Sequence, residues 1–126
     1  MENAMEGVEA IRRKCLFIDD EKKIIYGIQR LFRGYTNFTA VECHSVDEAL
    51  NAIKANSPEV LFLDHSLTRG GNEGLQIAIE VQKDNSDIEI VSVTMNDAVG
   101  ALYKLKGIKH ISKNNIDDLE RIVSGA

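Results

Sequence analysis

Four short apolar runs punctuate the chain: Cys15-Leu16-Phe17-Ile18, Val60-Leu61-Phe62-Leu63, Ile88-Glu89-Ile90-Val91-Ser92-Val93, and a weaker one from Ile108 to Ile111. The first two are continuous rather than alternating, the mark of strands buried on both faces of a parallel sheet. A fifth run, Phe38 to Cys43, alternates more and suits an edge strand. Helical patterns fill the gaps. Ile24, Ile25, Ile28, Leu31 and Phe32 share one helix face, with Gly34 as the expected stop. Ser45-Val46-Asp47-Glu48 reads as a capping box ahead of Ala49, Leu50 and Ile53, and Pro58 closes that unit. Leu75, Ala78, Ile79 and Gln82 mark a third helix, and Asp97 to Leu105, interrupted by Gly100, a poorer fourth. Ile116, Leu119, Ile122 and Val123 mark a fifth, with Asp117 and Asp118 near its positive N-terminus. The order is β-α five times over. It predicts a doubly wound α/β fold, a five-stranded parallel sheet covered on both faces by helices.

Composition narrows this picture without changing it. With 126 residues there is room for one domain. Fifteen Lys and Arg against twenty Asp and Glu leave a formal charge of −5, which argues against direct nucleic-acid binding. No apolar run approaches the roughly 20 residues that span a bilayer. The acid-rich leader around Met5, Val8 and Ile11 lacks the apolar stretch of a signal peptide. Two cysteines, Cys15 and Cys43, are too few for a disulfide framework or thiolate zinc site, so buried apolar packing and a reduced, cytoplasmic setting are expected.

Open α/β sheets bind ligands beyond the carboxyl ends of their strands. After the first predicted strand come Asp19, Asp20 and Glu21; after the third, Asp64; after the fourth, Thr94; after the fifth, Lys113. Each has an ordinary explanation alone, and Asp20 could simply cap the first helix. Gathered on one edge, adjacent carboxylates repel one another unless a cation compensates them. Oxygen ligands in this number suit Mg²⁺, and the hydroxyl and ammonium suit an anion beside it. The chemistry suggested is phosphoryl transfer to a carboxylate.

At this point the chain resembles the receiver domain of two-component response regulators. The resemblance rests on Phe17-Ile18-Asp19-Asp20-Glu21, Val60-Leu61-Phe62-Leu63-Asp64, Glu73-Gly74-Leu75, Val93-Thr94 and Ile111-Ser112-Lys113. It implies a flavodoxin-like, three-layer α/β/α fold with strand order 2-1-3-4-5. Residues 1–14 become an N-terminal extension and 15–126 the receiver. Asp64 would accept a phosphoryl group from a histidine kinase or a phosphotransferase histidine. Asp20, Asp64 and the Ser66 backbone carbonyl would ligate Mg²⁺, and Asp19 would act mainly through a metal-bound water. Thr94 and Lys113 would bind the phosphoryl oxygens. A switch in the face made by the fourth helix, fifth strand and fifth helix would then alter contacts with a downstream protein, a separate output domain, or a second copy of the chain. No output domain is expected within these 126 residues.

Several positions depart from the family pattern. Asn114 stands where proline usually follows the lysine, which would leave Lys113 less firmly aimed. The ten positions from Asp64 to Gly74 exceed the usual spacing and include Gly70-Gly71, so a loose loop is expected. The nineteen from Thr94 to Lys113 fall short of it, so a shortened or irregular fourth helix is expected. Met95 would narrow donor access, and His110 replaces an aromatic switch residue, where it would add pH sensitivity. His65, next to Asp64, is either a surface histidine or a contact for an incoming donor or water, while His44 reads as surface. These departures keep open a pseudo-receiver that binds partners without phosphorylation. An independent aspartyl phosphatase fits poorly, because Asp19-Asp20-Glu21 lacks the two aspartates separated by one residue that such enzymes use.

Overall fold

In a computed structural model of the chain, residues 12–85 and 87–125 are described. The segment around Met5, Val8 and Ile11 lies outside them, as does most of the expected extension. The elements alternate as β1 (Cys15–Asp19), α1 (Lys22–Leu31), β2 (Phe38–Glu42), α2 (Val46–Asn56), β3 (Val60–Leu63), α3 (Glu73–Asp84), β4 (Glu89–Thr94), α4 (Asp97–Leu105), β5 (Lys109–Ser112) and α5 (Ile116–Ser124). All strand pairs are parallel, in the order β2-β1-β3-β4-β5. This is the flavodoxin-like fold and strand order that the resemblance implies.

The sheet separates two apolar layers, and strand alternation decides which residue joins which. Leu16 and Ile18 of β1 face a layer with Ala49 and Ile53 of α2, Ile77, Ala78 and Val81 of α3, and Tyr103 of α4. Cys15 and Phe17 face the other, with Ile25 and Ile28 of α1 and Leu119 and Val123 of α5. β1 and β3 are buried along their whole length because both faces are covered, which is why their sequences are continuous apolar runs. β2, at an edge, fully buries only Ala40. Cys15 and Cys43 are buried, unpaired, and in opposite layers. Burial pushes both thiols up to about 11.

Local signals were right in kind and sometimes wrong in detail. Ser45 Oγ accepts from Glu48 N, while the Glu48 carboxylate takes the N–H of His44, one residue earlier than a strict capping box. Asp20 does not cap α1: the N-cap is Glu21, which makes no side-chain cap bond, and Asp19 Oδ1 accepts from Glu21 N instead. Gly34 does not stop α1. The helix ends at Leu31, Phe32 turns into the core, and only Gly70, Gly107 and Gly125 take positive φ among the described glycines. In α3 the buried face is Gly74, Ile77, Ala78 and Val81, while Ile79 and Gln82 face solvent. The apolar Ile79 misled the face assignment because the helix has apolar residues on more than one side.

Of the two expectations for the fourth helix, shortened or irregular, the first holds: it has nine residues, fewer than α1 to α3, yet it is a regular α-helix capped by Asn96 through Ala98 N and Val99 N. Gly100 does not interrupt it; a Cβ there would collide with the His110 ring. The expected loose loop after β3 is cross-braced. Glu73 Oε1 accepts from Leu67 N (2.9 Å) and Thr68 N (3.2 Å), Oε2 accepts from Thr68 Oγ1, and Ser66 Oγ donates to Gly71 O (2.6 Å). The bonds to Glu73, that from the Thr68 hydroxyl foremost, hold its carboxyl down to about 2.

Candidate functional site

The order of strands reverses at β1, which lies between β2 and β3, and ligands of such sheets bind at that point. The ladder carries the key backbone there. Asp64 N donates to Ile18 O and Cys43 N to Asp19 O, both at 3.0 Å, so Asp64 stands directly beside the end of β1. Thr94 ends β4, and its carbonyl accepts from Lys113 N at 3.3 Å. Four separated stretches of chain therefore meet at one edge because parallel strands in register end together.

Lys113 joins them. Its Nζ lies 2.9 Å from Asp64 Oδ1, 3.0 Å from Asp19 Oδ2 and 4.0 Å from Glu21 Oε1. Asp19 is wholly buried and Asp64 nearly so. Burial, then the charge of Asp19, pushes the Asp64 carboxyl up to about 7 against the pull of Lys113. Burial likewise raises Asp19. Burial works against the Lys113 charge, but Asp64 and Asp19 outweigh it and hold the ammonium above its ordinary range. One half-buried cation thus faces two buried carboxylates, and when both are ionised negative charge is left over.

The surplus is where a cation fits. Asp19, Asp20 and Glu21 each offer a carboxylate oxygen, all within 4.8 Å of one another. Asp19 Oδ2 is buried and, beyond its ionic contact with Lys113, has no hydrogen-bond partner. An all-oxygen donor set with an unsatisfied buried carboxylate suits a hard divalent ion.

The other residues singled out from the sequence sort as follows. Thr94 is buried, and its Oγ1 accepts from Asn96 N at 3.2 Å. Ser66 commits its side chain to Gly71. The turn after Lys113, without proline, is closed by Asn115 N to Ser112 O and Asn114 N to Ser112 Oγ. Lys113 is therefore aimed by its two carboxylates and this turn. Met95 is exposed. His44 is on the surface, 2.6 Å from Glu42, whose hydrogen bond raises its pKa. His110 turns inward beside Gly100, its Nδ1 3.4 Å from Ser92 Oγ and its buried Nε2 without a hydrogen-bond partner. His65 is half-buried and meets Tyr103.

Two contributors escaped sequence reasoning. Glu73 was seen only as part of a motif, not as the brace of the loop after Asp64. Tyr103 was not singled out at all. A tyrosine on the apolar side of a helix needs a hydroxyl partner, and that need was the available signal.

The fold and the site define the class of protein, a doubly wound α/β domain with an acidic, lysine-bridged cluster at its switch point. Residues 15–124 match the response regulator receiver domain, and the chain belongs to that family. Its fold is similar to that of the NtrX receiver domain from Brucella abortus, at 22% identity and a TM-score of 0.68 over 89% of this chain and 99% of that one. It is also similar to the N-terminal signal receiver domain of a response regulator from Bacteroides fragilis (20%, TM-score 0.70, 88% and 93%). A longer NtrX chain from Brucella abortus matches at 22% and a TM-score of 0.71, where 90% of this chain covers only 28% of that one. No curated protein shows a significant match.

Proposed function

We propose that this receiver domain accepts a phosphoryl group on Asp64 from a phosphohistidine of a histidine kinase or phosphotransferase protein. The carrying observation is the Lys113 ammonium between the carboxylates of Asp64 and Asp19, 2.9 and 3.0 Å away. In the step, an Asp64 oxygen forms a bond to phosphorus as the donor's P–N bond breaks, and the electron pair and a proton leave with the imidazole. Lys113 and the Thr94 hydroxyl would bind the transferred oxygens, Lys113 leaving its present ion pair to do so. Asp20, Asp64 and the Ser66 carbonyl would hold Mg²⁺, with Asp19 acting through a water; when bound, the ion would neutralise charge on the carboxylates and the phosphoryl. The surplus negative charge of the buried cluster supports this assignment.

The changed site would alter binding at the α4–β5–α5 face, where Leu102 and Leu105 are exposed, to a downstream protein, an output domain or a second copy. Among the described residues, no helix is long and apolar enough to cross a membrane. A cytoplasmic setting without direct nucleic-acid contact remains part of the proposal, as does the assignment of residues 1–14 to an extension.

Incubation with Mg²⁺ and a small acyl phosphate should add one phosphoryl group by intact mass. Unchanged mass, or equal modification of Asp64→Asn, would overturn the assignment. Mg²⁺ binding, followed by titration calorimetry without any donor, should weaken at least tenfold in Asp20→Asn. The inward packing of His110 favours a second reading, a receiver whose partner binding ignores phosphate. Partner affinity equal for wild type and Asp64→Asn would select that one.

A further inference from the structure

Beside the acidic cluster lies a pair, one member half-buried and the other fully buried, to which phosphoryl chemistry gives no part. His65 directly follows Asp64. Its Nδ1 is 2.8 Å from the hydroxyl of Tyr103, and the two rings meet edge-on at 88° with centroids 5.6 Å apart. Tyr103 belongs to α4 and is fully buried, the bulkiest such side chain among the described residues. The contact is a hydrogen bond between the imidazole nitrogen and the phenol oxygen, made across two separate parts of the fold.

The space around this bond is reserved. A Cβ on Gly74 would strike the Asp64 carbonyl, the His65 Cα and the Tyr103 hydroxyl. Gly74 N also donates to His65 O at 2.8 Å. The end of β3, the first turn of α3 and the body of α4 therefore close on one point. Opposite, α4 lies against β5, with Gly100 accommodating the His110 ring. Tyr103 is fully buried where these elements meet, so a displaced hydroxyl presses on its helix as well as on its own side chain.

We propose that His65 and Tyr103 are positioning residues that couple the state of Asp64 to the placement of α4, through the hydrogen bond between them. Added charge at Asp64 acts on the adjacent His65 and on the phenol, and the fully packed Tyr103 carries the displacement into its helix. The regulatory role rests on the reading of Asp64 as phosphoacceptor; the link itself is testable without it.

The experiment records amide NMR shifts of residues 97–105 under two perturbations of Asp64: phosphorylation with an acyl phosphate and Mg²⁺, and the charge-removing Asp64→Asn. Each is repeated in Tyr103→Phe, which keeps the ring volume, in His65→Leu, which removes the ring nitrogen, and in His65→Asn, which restores a polar group near the position of Nδ1. The α4 response should fall at least threefold in Tyr103→Phe and His65→Leu and recover by half or more in His65→Asn. Shifts in α2 should stay the same, which a general loosening would not allow. An α4 response undiminished in Tyr103→Phe and His65→Leu, or equally lost in His65→Asn, would overturn the coupling. A wild type that never gains mass would overturn the phosphoacceptor reading instead, and the Asp64→Asn arm alone would then decide the link.

Discussion

The two edges of this sheet handle polar groups in opposite ways. At the edge where strands begin, charges are matched and wet. Arg13 meets Glu89 at 2.6 Å with both side chains about 40% exposed (41% and 39%). Lys14 N is taken by Glu59. Asn37, from the segment before β2, donates to Arg13 O and Val123 O and so ties β1 to the end of α5. At the edge where strands end, Asp19 and Asp64 are buried against a single lysine. A fold selected for stability alone would not leave two buried anions sharing one cation. The first edge is built to hold, the second to be relieved by something that binds.

The largest effect expected of breaking this contrast is chemical. Asp64→Asn should abolish phosphoryl uptake measured by mass while leaving the protein folded, since it removes a repelled charge. Next comes Lys113→Met, which strands both carboxylates. It should cost about 3 kcal/mol in urea unfolding at pH 8. The sign with pH follows from Asp64, which holds its proton up to about 7 in the folded state against an ordinary 3.8. The folded form binds more protons between about pH 4 and pH 7, so without a divalent ion stability falls as pH rises through that window. The Lys113→Met cost should therefore shrink at pH 5, and a cost independent of pH would mean the cluster is not electrostatically strained.

The strand-start edge should respond more weakly and without that pH dependence. Asn37→Ala breaks two part-buried bonds and should cost about 2 kcal/mol. Arg13→Ala removes a half-exposed ion pair and should cost less than about 1 kcal/mol, falling further at high salt. If Arg13→Ala matched Lys113→Met, the distinction between the edges would collapse.

The pattern of apolar runs was enough for element order and strand direction, because burial on both faces erases alternation in β1 and β3 and leaves it in edge strand β2. It was enough to put Asp19, Asp20, Asp64, Thr94 and Lys113 at strand ends, because in-register parallel strands deliver whatever follows them to one edge. It was not enough for the faces of α3, where Ile79 is as apolar as Ile77 and only packing against the sheet separates them. Nor did spacing foretell how the long loop after Asp64 is held. Glycines suggested slack, while the Glu73 carboxylate, reaching back to Leu67 and Thr68, supplies order.

By itself the sequence determined a five-fold β-α chain with carboxylates, a hydroxyl and a lysine at strand ends, since those follow from periods of two and 3.6 residues and from chain order. Only the tertiary structure decided that Lys113 bridges Asp19 and Asp64, that His110 turns inward over Gly100, and that Tyr103 reaches His65. Each of these joins residues from separate elements. Distance between such residues is set by how helices pack on the sheet, and no local pattern encodes it.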